Sequence, residues 1–116
     1  MAFEGNIVRT FAKLMEDLFT SRFACALGPR KFKASIGTHF EQFSGNLQQD
    51  AQEFLVILLD SLHEELNVRM NKPYIEKPSS QGREERELST ECWSNFLHRN
   101  WSFIGFLFYG QMRSLL

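Results

Sequence analysis

Hydrophobic residues recur at steps of three and four in the first part of the chain, which is the spacing of one face of an α-helix. The first such stretch consists of Ile7, Val8, Phe11, Leu14, Met15, Leu18 and Phe19. It predicts a helix that ends near Ser21. A second, shorter helix is predicted to begin at Pro29, because proline suits the first turn of a helix. It continues through Phe32 and Ile36 toward His39.

The strongest pattern covers residues 50–67. Its apolar positions at helical spacing are Ala51, Phe54, Leu55, Leu58, Leu59, Leu62 and Leu66. Asp50 and Glu53 stand three positions apart at its start, which fits a capping box in which each side chain bonds the other residue's free backbone N–H. Both carboxylates also complement the positive end of the helix dipole. The pattern therefore predicts a long amphipathic helix with an acidic start.

The rest of the chain alternates between polar and aromatic segments. Residues 68–86 contain Pro73, Pro78 and Gly82 and are predicted to be a solvated connector. The charged run at 83–87 is interpreted as the polar start of a further helix, extending to about His98. Beyond it, the aromatic residues 103–109 predict a short helical turn followed by a strand from Tyr109. The predicted fold is mainly α, with four to five helices and a short C-terminal strand.

Composition excludes several classes of function. The 116 residues include 13 basic and 14 acidic side chains, which gives a net charge of −1. A chain with this balance has no positive electrostatic field that would attract phosphate backbones. We therefore expect no nucleic-acid partner. No stretch reaches the ~18 apolar residues of a membrane span, and the first residues do not resemble a signal peptide. The predicted location is intracellular, either cytoplasmic or nuclear.

Candidate catalytic side chains are few. Cys25 lies in the apolar context FACAL, and Cys92 lies on the apolar stripe of a predicted helix, where a buried and inert thiol is the common outcome. His63, in the C-terminal half of the long helix, is predicted to be a surface side chain that the helix dipole favours when protonated. No pair of histidines has metal-binding spacing, so we expect neither a metal nor another cofactor.

Residues 43–55, FSGNLQQDAQEFL, and 58–67, LLDSLHEELN, resemble the Q-Q-D-x-Q-E helix of the ubiquitin-specific proteases and its continuation. Three later segments agree with the larger, multidomain members of that family. Residues 72–76 resemble a K-P-Y-[IV]-E connector, and residues 93–102 resemble a W-x-x-H-x-x-R-N-x-S helix with the histidine displaced. Residues 107–114 resemble the L-F-x-G-Q-x-[KR]-S entry into the fingers.

The resemblance implies that residues 1–116 are part of a papain-like cysteine protease domain that removes ubiquitin. It implies thumb helices over 4–67, a connector over 68–86, a helix over 87–99 and a finger-root segment over 101–116. The G-N-T-C nucleophile box and the later histidine box of the family are absent from these residues. We therefore expect the chain to be catalytically inactive by itself, with no catalytic residue to assign.

The resemblance also implies a contact with ubiquitin. The residues that match the border of the channel for ubiquitin's C-terminal tail are Gln48, Asp50 and Glu53, whose carboxylates would meet the arginines of that tail. The capping box explains Asp50 and Glu53 without any partner, and the two interpretations are compatible. Ubiquitin binding is expected to be weak. The alternative is a non-enzymatic helical adapter that binds another protein through its aromatic residues 103–109.

Overall fold

The computed structural model describes residues 6–21, 26–69 and 71–114. Its five α-helices in these ranges are α1 (Asn6–Thr20), α2 (Arg30–His39), α3 (Ala51–Leu66), α4 (Glu85–Arg99) and α5 (Phe103–Phe108). A short 3-10 helix (Glu41–Phe43) lies between α2 and α3. The mainly α prediction is therefore confirmed. The chain divides into two compact units, residues 1–65 and 66–116, and each is described by itself.

In the first unit, the periodic stretches form the helices that were predicted. The buried apolar residues are Ile7, Phe32, Ile36, Phe43, Leu58 and Leu62. Cover on the apolar stripe of α1 decreases toward its end: Ile7 is buried, the residues from Phe11 to Met15 on the stripe are partly buried, and Leu18 and Phe19 are exposed. On its polar face, Lys13 pairs with Asp17 at 3.0 Å and with Glu16 at 3.0 Å. The hydrogen bond to Asp17, followed by that to Glu16, raises the pKa of Lys13.

Helix α2 packs against α1 and against the 3-10 helix. Pro29 occupies the N-cap position of α2, one residue before the first helical residue, and Lys33 N–H donates to the Pro29 carbonyl at 2.7 Å. Gly37 faces the turn after the 3-10 helix at close range. A Cβ at position 37 would lie 2.9 Å from the Ser44 Cα, so the packing requires glycine here.

In the second unit, α4 has acidic residues in its first turn and His98 and Arg99 in its last, which complements the helix dipole at both ends. Ser102 caps α5, its hydroxyl accepting a hydrogen bond from Gly105 N–H at 2.9 Å. Only Ile104 of α5 is buried among its apolar residues, while Phe103, Phe106 and Phe108 are exposed.

The predicted C-terminal strand is not formed in the described residues up to Ser114. Tyr109 has an extended backbone, but the segment is held by side chains along α4 and not by pairing with a strand. The Tyr109 ring packs on Phe96 with centroids 5.9 Å apart, the Gln111 amide donates to the Ser89 carbonyl at 2.8 Å, and Arg113 pairs with Glu85 at 2.9 Å. The strand prediction is therefore wrong, because these contacts replace a ladder.

Candidate functional site

The candidate site is the N-terminal end of α3 and the loop that leads into it. The loop follows the 3-10 helix, whose Phe43 is buried, and residues 44–50 then run exposed to the start of α3. Asn46 restrains this loop, since its amide oxygen accepts a hydrogen bond from the Lys33 ammonium of α2 at 2.9 Å. The sequence did not predict this link, because no local pattern signals a contact across thirteen positions.

Asp50 caps α3 as predicted. Its Oδ1 accepts hydrogen bonds from the backbone N–H groups of Gln52 at 2.7 Å and Glu53 at 3.2 Å, which satisfies two of the free amides of the first turn. The Asp50 carbonyl accepts the first helical bond, from Phe54 N–H at 3.0 Å. One carboxylate oxygen therefore serves the helix, and the other has no partner among the described residues, on a residue that is exposed.

Glu53 forms only half of the predicted capping box. Its backbone N–H donates to Asp50, but its carboxylate makes no hydrogen bond or ion pair within the described residues. Gln48 and Glu53 are both exposed. Gln48, Asp50 and Glu53, which were assigned from the resemblance, thus lie at or next to one exposed helix start. The Glu53 carboxylate has no bonding partner in the described residues.

An aromatic cluster supports this helix start from within the first unit. Phe54, in the first turn of α3, packs edge-on against Phe43 with ring centroids 5.3 Å apart and against Phe32 at 6.4 Å. Phe32 in turn contacts Phe11 of α1 at 5.5 Å. Such tilted and edge-to-face pairs stabilise beyond the area that they bury, by ~0.5–1.5 kcal/mol each. The backbone that presents Asp50 and Glu53 is therefore anchored to α1 and α2.

Two histidines bond to their own helices. His39 Nδ1 lies 2.9 Å from the Ser35 carbonyl, and His98 Nδ1 lies 2.8 Å from the Ser94 carbonyl. His63 was predicted to be a surface side chain, but it is buried. That prediction is wrong because α3 is covered on more than one face at this level: Ser61, Leu62 and His63 are consecutive and all buried.

Of the two cysteines only Cys92 is described, and its burial differs from the prediction. Cys92 is a free, exposed cysteine, so the prediction of burial is wrong; α4 buries none of its residues, and its apolar positions are only partly covered. His98 lies six positions further along the same helix, about 9 Å along the axis, which is too far for it to act as base. Cys25 lies outside the described residues. Over the described ranges, no cluster of histidine, cysteine and carboxylate side chains is suited to a metal ion.

None of the helices in the described ranges is long and apolar enough to cross a bilayer. The described residues form a helical segment whose candidate site is the acidic, exposed start of α3.

Comparison with known proteins identifies the family. The pattern of the family described as "Ubiquitin carboxyl-terminal hydrolase" matches residues 2–116, so the chain belongs to that family. It is 40% identical over 116 residues to ubiquitin carboxyl-terminal hydrolase 15 of Homo sapiens and 40% identical to ubiquitin carboxyl-terminal hydrolase 4 of Bos taurus. It is 39% identical over 128 aligned residues to ubiquitin carboxyl-terminal hydrolase 12 of Saccharomyces cerevisiae.

Each of these matches covers the whole of this chain but little of the relative. The chain spans 12% of the length of the human and bovine proteins and 10% of the yeast protein. The family assignment therefore confirms the resemblance noted from residues 43–55 and 58–67.

Proposed function

We propose that this chain is a ubiquitin-binding segment of a cysteine-type deubiquitinase domain, in which the start of α3 contacts the arginine-rich C-terminal tail of ubiquitin. The observation that carries the proposal is the difference in hydrogen bonding between two carboxylates. Asp50 uses one oxygen for the helix cap, while its other oxygen and the whole Glu53 carboxylate have no partner within the described residues. The proposed contact residues are Gln48, Asp50 and Glu53.

The geometry suits a basic, extended peptide. Glu53 lies one turn from Asp50 on an exposed helix start that α1 and α2 hold in place through the aromatic cluster. Exposed ion pairs contribute only ~0.2–1 kcal/mol each. Two such pairs do not make a tight site, so we propose that these residues alone bind ubiquitin at roughly millimolar Kd, about −4 kcal/mol. The binding weakens with added salt because the pairs are exposed.

We further propose that residues 1–116 by themselves do not cleave ubiquitin conjugates, and that the protein acts inside the cell. The support for the absence of cleavage is chemical. Cys92, the described thiol, has no histidine within reach on its own helix, and the sequence has no G-N-T-C box. Incubation with a fluorogenic ubiquitin C-terminal substrate and with a thiol-reactive ubiquitin probe tests this. Turnover, or an adduct on Cys25 or Cys92, contradicts it.

The binding proposal is tested by NMR titration of labelled ubiquitin with the chain and with charge variants. Asp50→Asn keeps the N-cap, since asparagine caps as well as aspartate, but removes the charge. Combined with Glu53→Gln, it is expected to weaken binding about threefold or more. Glu87→Gln is the matched control, because Glu87 is also the third residue of its helix and exposed. It is expected to leave binding unchanged. Micromolar binding that survives the double substitution would contradict the proposal.

A second candidate function rests on α5. Phe103, Phe106 and Phe108 are exposed on a six-residue helix, which favours a non-enzymatic adapter that binds another protein through these rings. The expected strand no longer supports this alternative, because residues 109–114 form none. Phe106→Ala distinguishes the two functions. If it abolishes the ubiquitin shifts while the Asp50→Asn and Glu53→Gln variant does not, binding belongs to the α5 surface.

A further inference from the structure

A cavity of about 500 Å³ opens in the first unit beside α2 and the loop that precedes α3. Its apolar walls come from Leu14, Phe32, Ile36, Phe43, Leu47 and Phe54. The polar side chains in its lining are Lys33, Asn46 and Gln49, and none of the lining residues is acidic. Pockets of ~300–1,000 Å³ with apolar walls and a few polar groups are typical of small-molecule sites.

The charge at the rim selects the kind of ligand. Lys33 lines the cavity, and its ammonium donates to the neutral amide oxygen of Asn46 at 2.9 Å, with no carboxylate paired to it in the described residues. Because an ammonium has three donors, two remain for a ligand. The first turn of α2 adds Arg30 and Lys31 and contains no acidic side chain. An anionic group at this rim would meet uncompensated positive charge.

Two acidic residues adjoin the lining in sequence without belonging to it: Glu53, which precedes Phe54, and Asp50, which follows Gln49. One of the Asp50 oxygens is already held by the Gln52 and Glu53 amides. The lining therefore contains Lys33 and no carboxylate, while Asp50 and Glu53 lie just outside it on the α3 side.

From the cavity volume, its apolar walls and the Lys33 ammonium at its rim, we propose that this cavity binds an apolar monocarboxylate, with the hydrocarbon among the phenylalanine rings and the carboxylate on Lys33. The site is separate from the proposed ubiquitin contact, which uses the exposed side chains of Gln48, Asp50 and Glu53. The cavity borders the same loop, where Asn46, Leu47 and Gln49 line it.

The test uses three probes of matched shape: 4-phenylbutanoate, 4-phenylbutan-1-ol and 4-phenylbutylammonium. Each is titrated into the labelled 116-residue chain and followed by NMR. The carboxylate is expected to shift the resonances of Leu47, Phe54 and Asn46 and to bind about five- to tenfold more tightly than the alcohol, with the ammonium weakest.

Variants locate the charge effect. Lys33→Met keeps the aliphatic stem and is expected to remove the preference for the carboxylate while leaving the alcohol affinity within about twofold. Lys31→Met is the matched control, because Lys31 is exposed on the same helical turn but does not line the cavity. It is expected to preserve the preference.

Three outcomes overturn the proposal. Equal affinity for carboxylate and alcohol would make the occupant a neutral apolar group. If Lys31→Met and Lys33→Met lost the preference for the carboxylate equally, that preference would arise from general electrostatic attraction by α2 and not from Lys33. Shifts at the cavity residues that depend on protein concentration alone, with a dimer in sedimentation, would make a second copy of the chain the occupant.

Discussion

Glu65 Oε2, near the end of α3, lies 2.8 Å from the backbone nitrogen of Val8 in the first turn of α1. The other oxygen of the same carboxylate accepts a hydrogen bond from Ile7 N–H at 3.2 Å. These two amides are among the four that a helix start leaves without a partner. Glu65 therefore caps α1 from 57 positions away in the sequence, and its negative charge faces the positive end of the α1 dipole.

Glu65→Ala is expected to destabilise the first unit by ~1–2 kcal/mol, because it removes both acceptors from the first turn of α1. Glu65→Gln should cost less, since the amide oxygen still accepts one bond. Urea unfolding followed by circular dichroism measures the loss. Glu53→Gln on the same helix is the control, because the Glu53 carboxylate makes no bond in the described residues. Equal losses in Glu65→Ala and Glu53→Gln would contradict the capping role.

Burial along α3 is uneven, which gives a second prediction. Leu62 is 4% exposed and Leu55 is 52% exposed, although both belong to the same apolar stripe. Leu62→Ala is expected to cost ~2–5 kcal/mol because it leaves a cavity in the core. Leu55→Ala should cost below ~1 kcal/mol, since its side chain buries little area in this chain. Thermal or urea unfolding of the pair checks the difference. A Leu55→Ala loss as large as that of Leu62→Ala would show that the stripe is covered at both positions.

Local sequence patterns predicted the helices well. The periodicity of α1 and α3, the proline at the start of α2 and the Asp50 cap are all set by residues within one turn of each other. They are therefore visible in the sequence, and the structure confirms them. The family resemblance of residues 43–67 adds the proposed ubiquitin contacts, which no periodicity indicates.

The misses share a physical cause, which is contact between distant residues. Burial of His63 and exposure of Cys92 depend on which helix faces are covered, and one helical stripe does not reveal that. The expected strand at Tyr109 has the right propensity, but its side chains find partners on α4. The Glu65 cap likewise joins residues that no local motif connects.

Gly37 supplies a third prediction. Glycine inside a helix usually costs ~0.5–1 kcal/mol relative to alanine, so Gly→Ala normally stabilises. At position 37 the new Cβ would lie 2.9 Å from the Ser44 Cα and force backbone to move, so we expect Gly37→Ala to destabilise by ~1–3 kcal/mol. Gly45→Ala is the control, because nothing lies within 4 Å of its Cβ position. Comparison of the two melting midpoints tests the clash, and a higher midpoint for Gly37→Ala would disprove it.

Asn67 organises the second unit around one side-chain amide. Its Nδ2 donates to the Arg99 carbonyl at 3.1 Å, and its Oδ1 accepts from the backbone N–H groups of Arg69 at 3.0 Å and Trp101 at 2.9 Å. The neighbouring Val68 N–H donates to the Trp101 carbonyl at 3.0 Å. The side chain thereby ties the segment after α3 to the residues between α4 and α5.

We expect Asn67→Ala to destabilise this connection by ~0.5–1.5 kcal/mol, because it removes three hydrogen bonds whose exposed backbone groups then bond to water. Asn67→Asp keeps both acceptor interactions and loses only the donor to Arg99, so the Trp101 amide should remain protected. Hydrogen exchange of the Trp101 and Val68 amides distinguishes the variants: about tenfold or faster exchange in Asn67→Ala, and a smaller change in Asn67→Asp. Asn95→Ala is the control, since the Asn95 side chain makes no hydrogen bond in the described residues of the same unit. If Asn67→Ala leaves both amides as protected as Asn95→Ala does, the backbone bond of Val68 holds the connection by itself.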